Sequence, residues 1–287
     1  MNSLSDTDNF LSFLLSLQNY DPITVLSVFF LTLGRTVPLV SIAPFLGAKN
    51  LPRTVRMMFG VALCVLFLPQ NLALIHANIP FNTVFIGYMI KELAIGSVLG
   101  FFSAMPFLIA QTAGSLIYNA RGASSLQVTD PTTQTQTGPI GILYNYVLLA
   151  LFFSLGGPFL FFDAVAKSYQ LIPVDGIISS AFFYKGSPFW KQIVNLTQYV
   201  MNLALQLAAP ALIGILLTDM FLGIANRLAP QVQVVFLGIP LKSWVGIALM
   251  AAAWALTTQV LGRESIEWMK TIMKFINQAG ALAQHAY

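Results

Sequence analysis

The 287 residues include 57% hydrophobic and only 8% charged side chains, with a mean hydropathy of +0.77. A soluble domain carries roughly 25% charged residues because water must wet its surface, so this chain takes lipid, or an assembly within lipid, as its solvent. The net charge of +4 arises from 14 Lys and Arg scattered singly, without the basic stripe that tracks phosphates, and this excludes nucleic acid as a partner.

The opening MNSLSDTDNF lacks the basic region and small-residue cleavage site of a signal peptide, so the first apolar segment is expected to remain in the mature protein. A bilayer core of about 30 Å takes roughly 20 apolar residues in a helix. Residues 23–46 meet that length with Arg35 as their only charge, and 55–75 follow a short basic loop containing Lys49, Arg53 and Arg56. Cys64, the single cysteine, stands inside that second run and reads as a small buried hydrophobe. Residues 84–117 are too long for one straight span; Lys91 and Glu92 lie near their start, and Pro106 in their middle predicts a kink or a break.

The stretch 118–139 has the Thr, Gln, Pro and Gly content of a polar loop. Residues 140–162 are charge-free and end at the breaker Gly156-Gly157-Pro158, after which 163–191 reads as a long connection. Residues 193–217 are again charge-free, and 232–261 contain only Lys242. Apolar on every face, these runs do not alternate as barrel strands do. The fold class is all-α integral membrane, with five to seven embedded helices. The carboxy-terminal 263–284 differ in kind: Met269, Ile272, Met273 and Ile276 recur at helical spacing opposite Lys270, Lys274, Asn277 and Gln278. An interfacial helix lying on lipid is the simpler reading, a partner-docking helix the other. Charges flanking the first span favour an outside amino terminus, whereas Arg263, Lys270 and Lys274 favour an inside carboxy terminus, a conflict of parity for six spans.

An ionised group within the bilayer costs about 2.5–3.5 kcal/mol on insertion scales, so Arg35, Glu92, Asp219 and Lys242, with Arg121, Asn226 and Arg227 at polar corners, require a reason. Glu92 and Asp219 could form a proton or ion path, or each could pair with a cation and fix helix packing. Lys91, adjacent to Glu92, is not expected to face it. Gly96 and Gly100 form a GxxxG that lets two backbones approach, and Ala204, Ala208 and Ala209-Pro210 form a second small-residue face. No HExxH, nucleotide cradle or GxSxG elbow occurs, and His76 and His285 alone make no metal cluster. No cofactor and no enzymatic activity are expected.

Two segments are more distinctive than hydropathy. One runs from Gly34-Arg35-Thr36-Val37-Pro38 through Ala43-Pro44-Phe45-Leu46-Gly47 to Pro52 and Arg56. The other runs from Asp219-Met220-Phe221-Leu222-Gly223 through Asn226-Arg227-Leu228-Ala229-Pro230-Gln231 to Gly238-Ile239-Pro240-Leu241-Lys242. With Lys91-Glu92-Leu93-Ala94-Ile95-Gly96, Gly100-Phe101 and Ala113-Gly114 between them in order, they resemble the SctT/FliR/SpaR family of type III export proteins over roughly residues 25 to 260. The resemblance implies a structural subunit of the type III secretion export gate in the bacterial inner membrane. Its partners would be R-type, S-type and U-type subunits (SctR, SctS, SctU) with SctV nearby, its surroundings membrane lipid and its cargo secreted polypeptides.

The resemblance further implies an R-like portion over 1–190, an S-like hairpin over 191–262 turning around 226–231, and an amphipathic tail over 263–287. Hairpins wrapped in an assembly need not obey span parity. In the family a mid-chain loop plugs the gate. Residues 107–125 match it here, with Gln111, Gly114, Tyr118, Asn119, Arg121 and Gly122 as candidates, although an ordinary interhelical turn fits the same residues. Residues 130–136 are longer and more polar than the family's pattern. Arg35, Glu92, Asp219, Asn226, Arg227, Gln231 and Lys242 are the candidate assembly residues. The Gln-Val-Gln after Pro230 favours the injectisome branch over the flagellar one. The rival reading from residue chemistry is a proton-coupled small-molecule secondary transporter, which would show two similar halves with matching broken helices.

Overall fold

The structure, a computed structural model, describes residues 21–47, 51–75, 78–122, 138–176, 188–229 and 234–284. Among them are eight α-helices and no strand: α1 (Pro22–Ile42), α2 (Arg53–Ala73), α3 (Thr83–Ala120), α4 (Pro139–Ser154), α5 (Gly157–Leu171), α6 (Pro188–Leu228), α7 (Val234–Ala252) and α8 (Trp254–Gln284). Local chemistry sets their ends. Pro22 opens α1 at a position whose N–H would have no helical partner. Gly47, at φ 80°, closes the short 3₁₀ turn that follows, in a conformation that penalises any Cβ. Asn82 Oδ1 accepts the N–H groups of Val84 and Phe85 at 3.0 and 3.3 Å and so caps α3.

Four helices are long and apolar enough to cross a membrane singly: α1, α2, α3 and the Gln198–Leu228 part of α6. Two bent pairs, α4 with α5 and α7 with α8, raise the number to six. The all-α membrane class predicted from the runs is the class observed.

One local expectation is narrowed and two are corrected. Of the kink or break expected at Pro106, α3 shows no break and runs through it as one continuous 38-residue helix; in a packed apolar helix, neighbouring groups compensate for the N–H that proline lacks. Residues 163–171 are helical rather than part of a long connection. The connection reading missed an amphipathic turn, with Phe161, Ala164, Val165 and Tyr169 buried on one face and Asp163 and Lys167 paired four residues apart at 3.0 Å on the other. Residues 263–284 are not a separate interfacial helix, since α8 begins at Trp254. Trp268, Met269, Ile272 and Ile276 are all buried within the chain, so protein covers the stripe that lipid was expected to cover. The break falls earlier, at Ala253, where α7 and α8 meet at 61°.

The chain divides into two compact units, the first made of Met1–Ala104, Phe161–Phe189 and Thr271–Tyr287, the second of Met105–Leu160 and Trp190–Lys270. In the first, α1 and α2 form a hairpin stitched by polar contacts: Asn71 Nδ2 donates to Thr32 Oγ1 at 2.9 Å, Thr36 Oγ1 to the Gly60 carbonyl at 3.2 Å, and Cys64 Sγ to the Phe29 carbonyl at 3.3 Å. Cys64 is buried and free, as its surroundings in the sequence predict. Val28, Leu31, Leu39 and Phe67 fill the core, and Phe45 meets Phe161 edge-on at 4.8 Å. In the second unit, α3 and α4 run antiparallel, with Phe107 against Phe152 at 5.6 Å. α6 and α7 do the same, with Gly214 under Leu249 and Gly238 beside Leu222. Ala204, Ala208 and Ala211 are buried.

Candidate functional site

The first unit holds an ionic cluster whose central pair, Arg35 and Glu92, is fully buried. Gly34 and Gly96 allow its formation: a Cβ on Gly96 would meet the Arg35 carbonyl carbon at 2.9 Å, and one on Gly100 would meet Leu39 Cα at 3.2 Å. These glycines let α3 lie on α1 at backbone contact, which sets Glu92 opposite Arg35. The guanidinium reaches both carboxylate oxygens, Nε to Oε2 at 2.5 Å and Nη2 to Oε1 at 2.9 Å, a bidentate fork. Nη1 donates to Ser168 Oγ at 3.0 Å and Nη2 to the Ile172 carbonyl at 2.9 Å, while Cζ lies 4.0 Å from the centre of the Tyr169 ring. Arg35 and Glu92 have no solvent exposure.

Lys91 belongs to the same cluster, which corrects the expectation that it would point away from Glu92. Its Nζ lies 3.0 Å from Glu92 Oε1. Adjacent Cβ atoms do diverge on a helix, but the four-carbon stem is long enough to turn back over the neighbouring residue. The same ammonium donates to the carbonyls of Pro173, Val174 and Gly176 at 2.8, 3.0 and 2.8 Å. The connection after α5 thus turns its carbonyl oxygens onto cations of α1 and α3. Ser168, Tyr169 and these carbonyls are cluster members that sequence reasoning missed. Only the Pro and Gly content of 173–176 hinted at an irregular backbone there, and nothing local marked Ser168 or Tyr169.

The second unit contains the other charge pair. Asp219 of α6 and Lys242 of α7 form an ion pair across the helix pair, with side chains 42% and 24% exposed. Exposed Leu216, Leu217, Met220 and Phe221 surround Asp219 along α6. Asn226 and Arg227 lie in the last turn of α6. Gln231, His76, His285 and Lys49 lie outside the described residues. A third polar contact, unforeseen from the sequence, joins Tyr199 to Glu264 by a hydroxyl–carboxylate hydrogen bond, with the Tyr199 ring stacked on Trp268 at 5.5 Å.

Of the mid-chain candidates, Gln111, Gly114, Tyr118 and Asn119 are not in a loop. They lie in the last turns of α3, which runs on through Pro106 to Ala120 and is closed by Gly122, at φ 77°. Arg121 and Gly122 form the turn that closes the helix, and 123–125 lie outside the described residues. Gly114 faces Gly141 of α4 so closely that a Cβ would meet Ile140 C at 2.7 Å, and the Tyr118 ring covers Gly138. The Arg121 side chain lies beside Gly246 of α7. The described residues hold no group of His, Cys, Asp or Glu able to bind a metal.

Four to six apolar spans, with Glu92 and Asp219 each matched to a cation within the protein, define a multi-pass helical membrane protein. A family model described as bacterial export proteins, family 1, matches residues 26–267. The chain belongs to that family. It is 34% identical over 56% of its length to the Yop proteins translocation protein T of Yersinia pestis, a match that spans 60% of the length of that relative. It is 27% identical to the flagellar biosynthetic protein FliR of Escherichia coli, over 79% of this chain and 84% of that one. To the secretion system apparatus protein SsaT of Salmonella typhimurium it is 29% identical, over 74% and 79% of the respective chains. None of these relatives is named as an enzyme.

Proposed function

We propose that the chain is a structural subunit of a type III protein-secretion export gate in the bacterial inner membrane, forming part of the wall of its protein-conducting channel. The family match over residues 26–267 carries this reading, together with relatives named for translocation, flagellar biosynthesis and a secretion apparatus. The charge pattern agrees with it: the fork on Glu92 and the cation on Asp219 match each carboxylate within the protein, the use expected of charges that fix helix packing. Residues 1–190 serve as the R-like portion and 191–262 as the S-like hairpin, with the amphipathic tail over 263–287.

Residues 107–125 serve as the plug, and the backbone contact of Gly114 with Gly141 supplies the tight seal at their base. The partners are SctR, SctS and SctU types, with SctV nearby and secreted polypeptides as cargo. Purification in mild detergent from cells carrying the whole secretion locus tests the reading. The chain should co-elute with R- and S-type subunits, and elution alone or as a homo-oligomer would overturn it.

A further inference from the structure

Four oxygens converge on one nitrogen in the first unit: the carbonyls of Pro173, Val174 and Gly176 and Oε1 of Glu92, all within 2.8–3.0 Å of Lys91 Nζ. We propose that this oxygen cage is a binding site for a primary ammonium group, filled in the native chain by Lys91 itself, and that its occupancy latches the 172–176 connection onto α3.

The allocation of hydrogen bonds carries the argument. Glu92 does not depend on Lys91 for neutralisation, since the Arg35 fork engages both of its oxygens. What depends on Lys91 is chiefly backbone: three carbonyls within residues 173–176, of which the Val174 residue is buried and the others half-buried, with the Asp175 carboxylate of the same turn as a further charge acting on the ammonium. Carbonyls drawn together in this way repel one another and lose their water, and a compact cation with three donors matches them better than a planar guanidinium does. The Tyr88 ring, its centre 5.4 Å from Nζ, adds an aromatic face suited to an ammonium. The Gly176 N–H bond to the Pro173 carbonyl, at 3.1 Å, closes the turn that presents the oxygens. The latch is independent of the export reading, because it concerns only how 172–176 is held within the first unit.

The test uses the full chain in detergent, with Cys64→Ala to remove the native thiol and Val174→Cys as a reporter on the latched connection. Lys91→Ala deletes a propylammonium group from the cage, and Lys91→Met fills the stem's space without the charge. Maleimide labelling of the reporter should be about tenfold faster in both variants than in the Lys91 parent, the signature of local opening. Added propylammonium should return the Lys91→Ala protein to near the parental rate by mass action, and leave the Lys91→Met protein fast. Equal labelling in all three proteins, or slowing by propylammonium of both variants alike, would overturn the proposal. If the Lys91→Ala protein does not fold, the Lys91→Met protein alone decides: parental labelling there removes the latch. Co-elution with R- and S-type partners, measured separately, is expected to be unaffected by propylammonium, so failure of the latch and failure of the export reading are distinguishable.

Discussion

Arg35 of α1 holds Glu92 of α3 by two hydrogen bonds, at 2.5 and 2.9 Å, with both side chains wholly shielded from solvent. Lys91 adds a second cation to the same carboxylate, so the two ends of the pair are not equivalent. Removing one member of a buried pair costs about 3–5 kcal/mol because the other is left uncompensated. Arg35→Met leaves Glu92 with Lys91, whereas Glu92→Leu leaves two cations facing each other. The Glu92 variant should therefore lose more folded protein and melt lower in detergent than the Arg35 variant, and Arg35→Met should partly rescue Glu92→Leu. Equal losses in the two single variants would show that Lys91 does not share the carboxylate.

Backbone contact between α1 and α3 predicts a second outcome. Gly96 has the Arg35 carbonyl where a Cβ would go, whereas Gly87, on the same helix, has open space around it. Gly96→Ala should destabilise by about 1–3 kcal/mol through overpacking. Gly87→Ala should be neutral or stabilising, by up to about 1 kcal/mol from helix propensity. Thermal unfolding of the two variants in one detergent checks the contrast.

The helices were legible because an apolar run of this length has one stable form in lipid, and the breaker at Gly156-Gly157-Pro158 falls where α4 gives way to α5. Pro106 left a kink and a break both open, and α3 runs through it unbroken, since proline breaks a helix only where nothing else satisfies the backbone. The tail misled: the spacing of Met269, Ile272 and Ile276 reports an apolar face but not what covers it. The site was half legible. Arg35 and Glu92 were conspicuous as charges in apolar runs, but their pairing across 57 positions of sequence depends on the crossing of α1 and α3. Lys91 was misjudged because adjacency on a helix constrains Cβ direction and not the reach of a lysine stem. Carbonyl ligands such as that of Val174 have no side-chain signature at all.

Asp219 and Lys242 are partly exposed, unlike the cluster around Glu92. Their coupling within the isolated chain should be small, about 1 kcal/mol or less by double-mutant cycle, as for other exposed pairs. The charge-swapped protein, Asp219→Lys with Lys242→Asp, should melt close to the parent. Because exposed Leu216, Leu217, Met220 and Phe221 flank the pair, the larger effect of Asp219→Asn is expected on recovery of the assembled complex. A coupling well above that range would show that lipid, rather than water or a partner, borders the pair.

The end of α3 gives the most direct test of the plug. Gly114 and Gly141 meet without side chains between them, and the Tyr118 ring covers Gly138. Gly114→Ala should push the two helix ends apart to make room for a methyl group, which costs about 1–3 kcal/mol by overpacking and loosens whatever the turn at Arg121 and Gly122 seals. The expected result is increased small-ion leakage in cells whose export complex still assembles and secretes. Gly223→Ala, which meets nothing within 4 Å, should leave leakage at the parental level and serves as the control. An assembled, secreting Gly114→Ala complex with parental leakage would remove residues 107–125 as the plug and leave them an interhelical turn. In that case the glycine contact would serve α3–α4 packing alone.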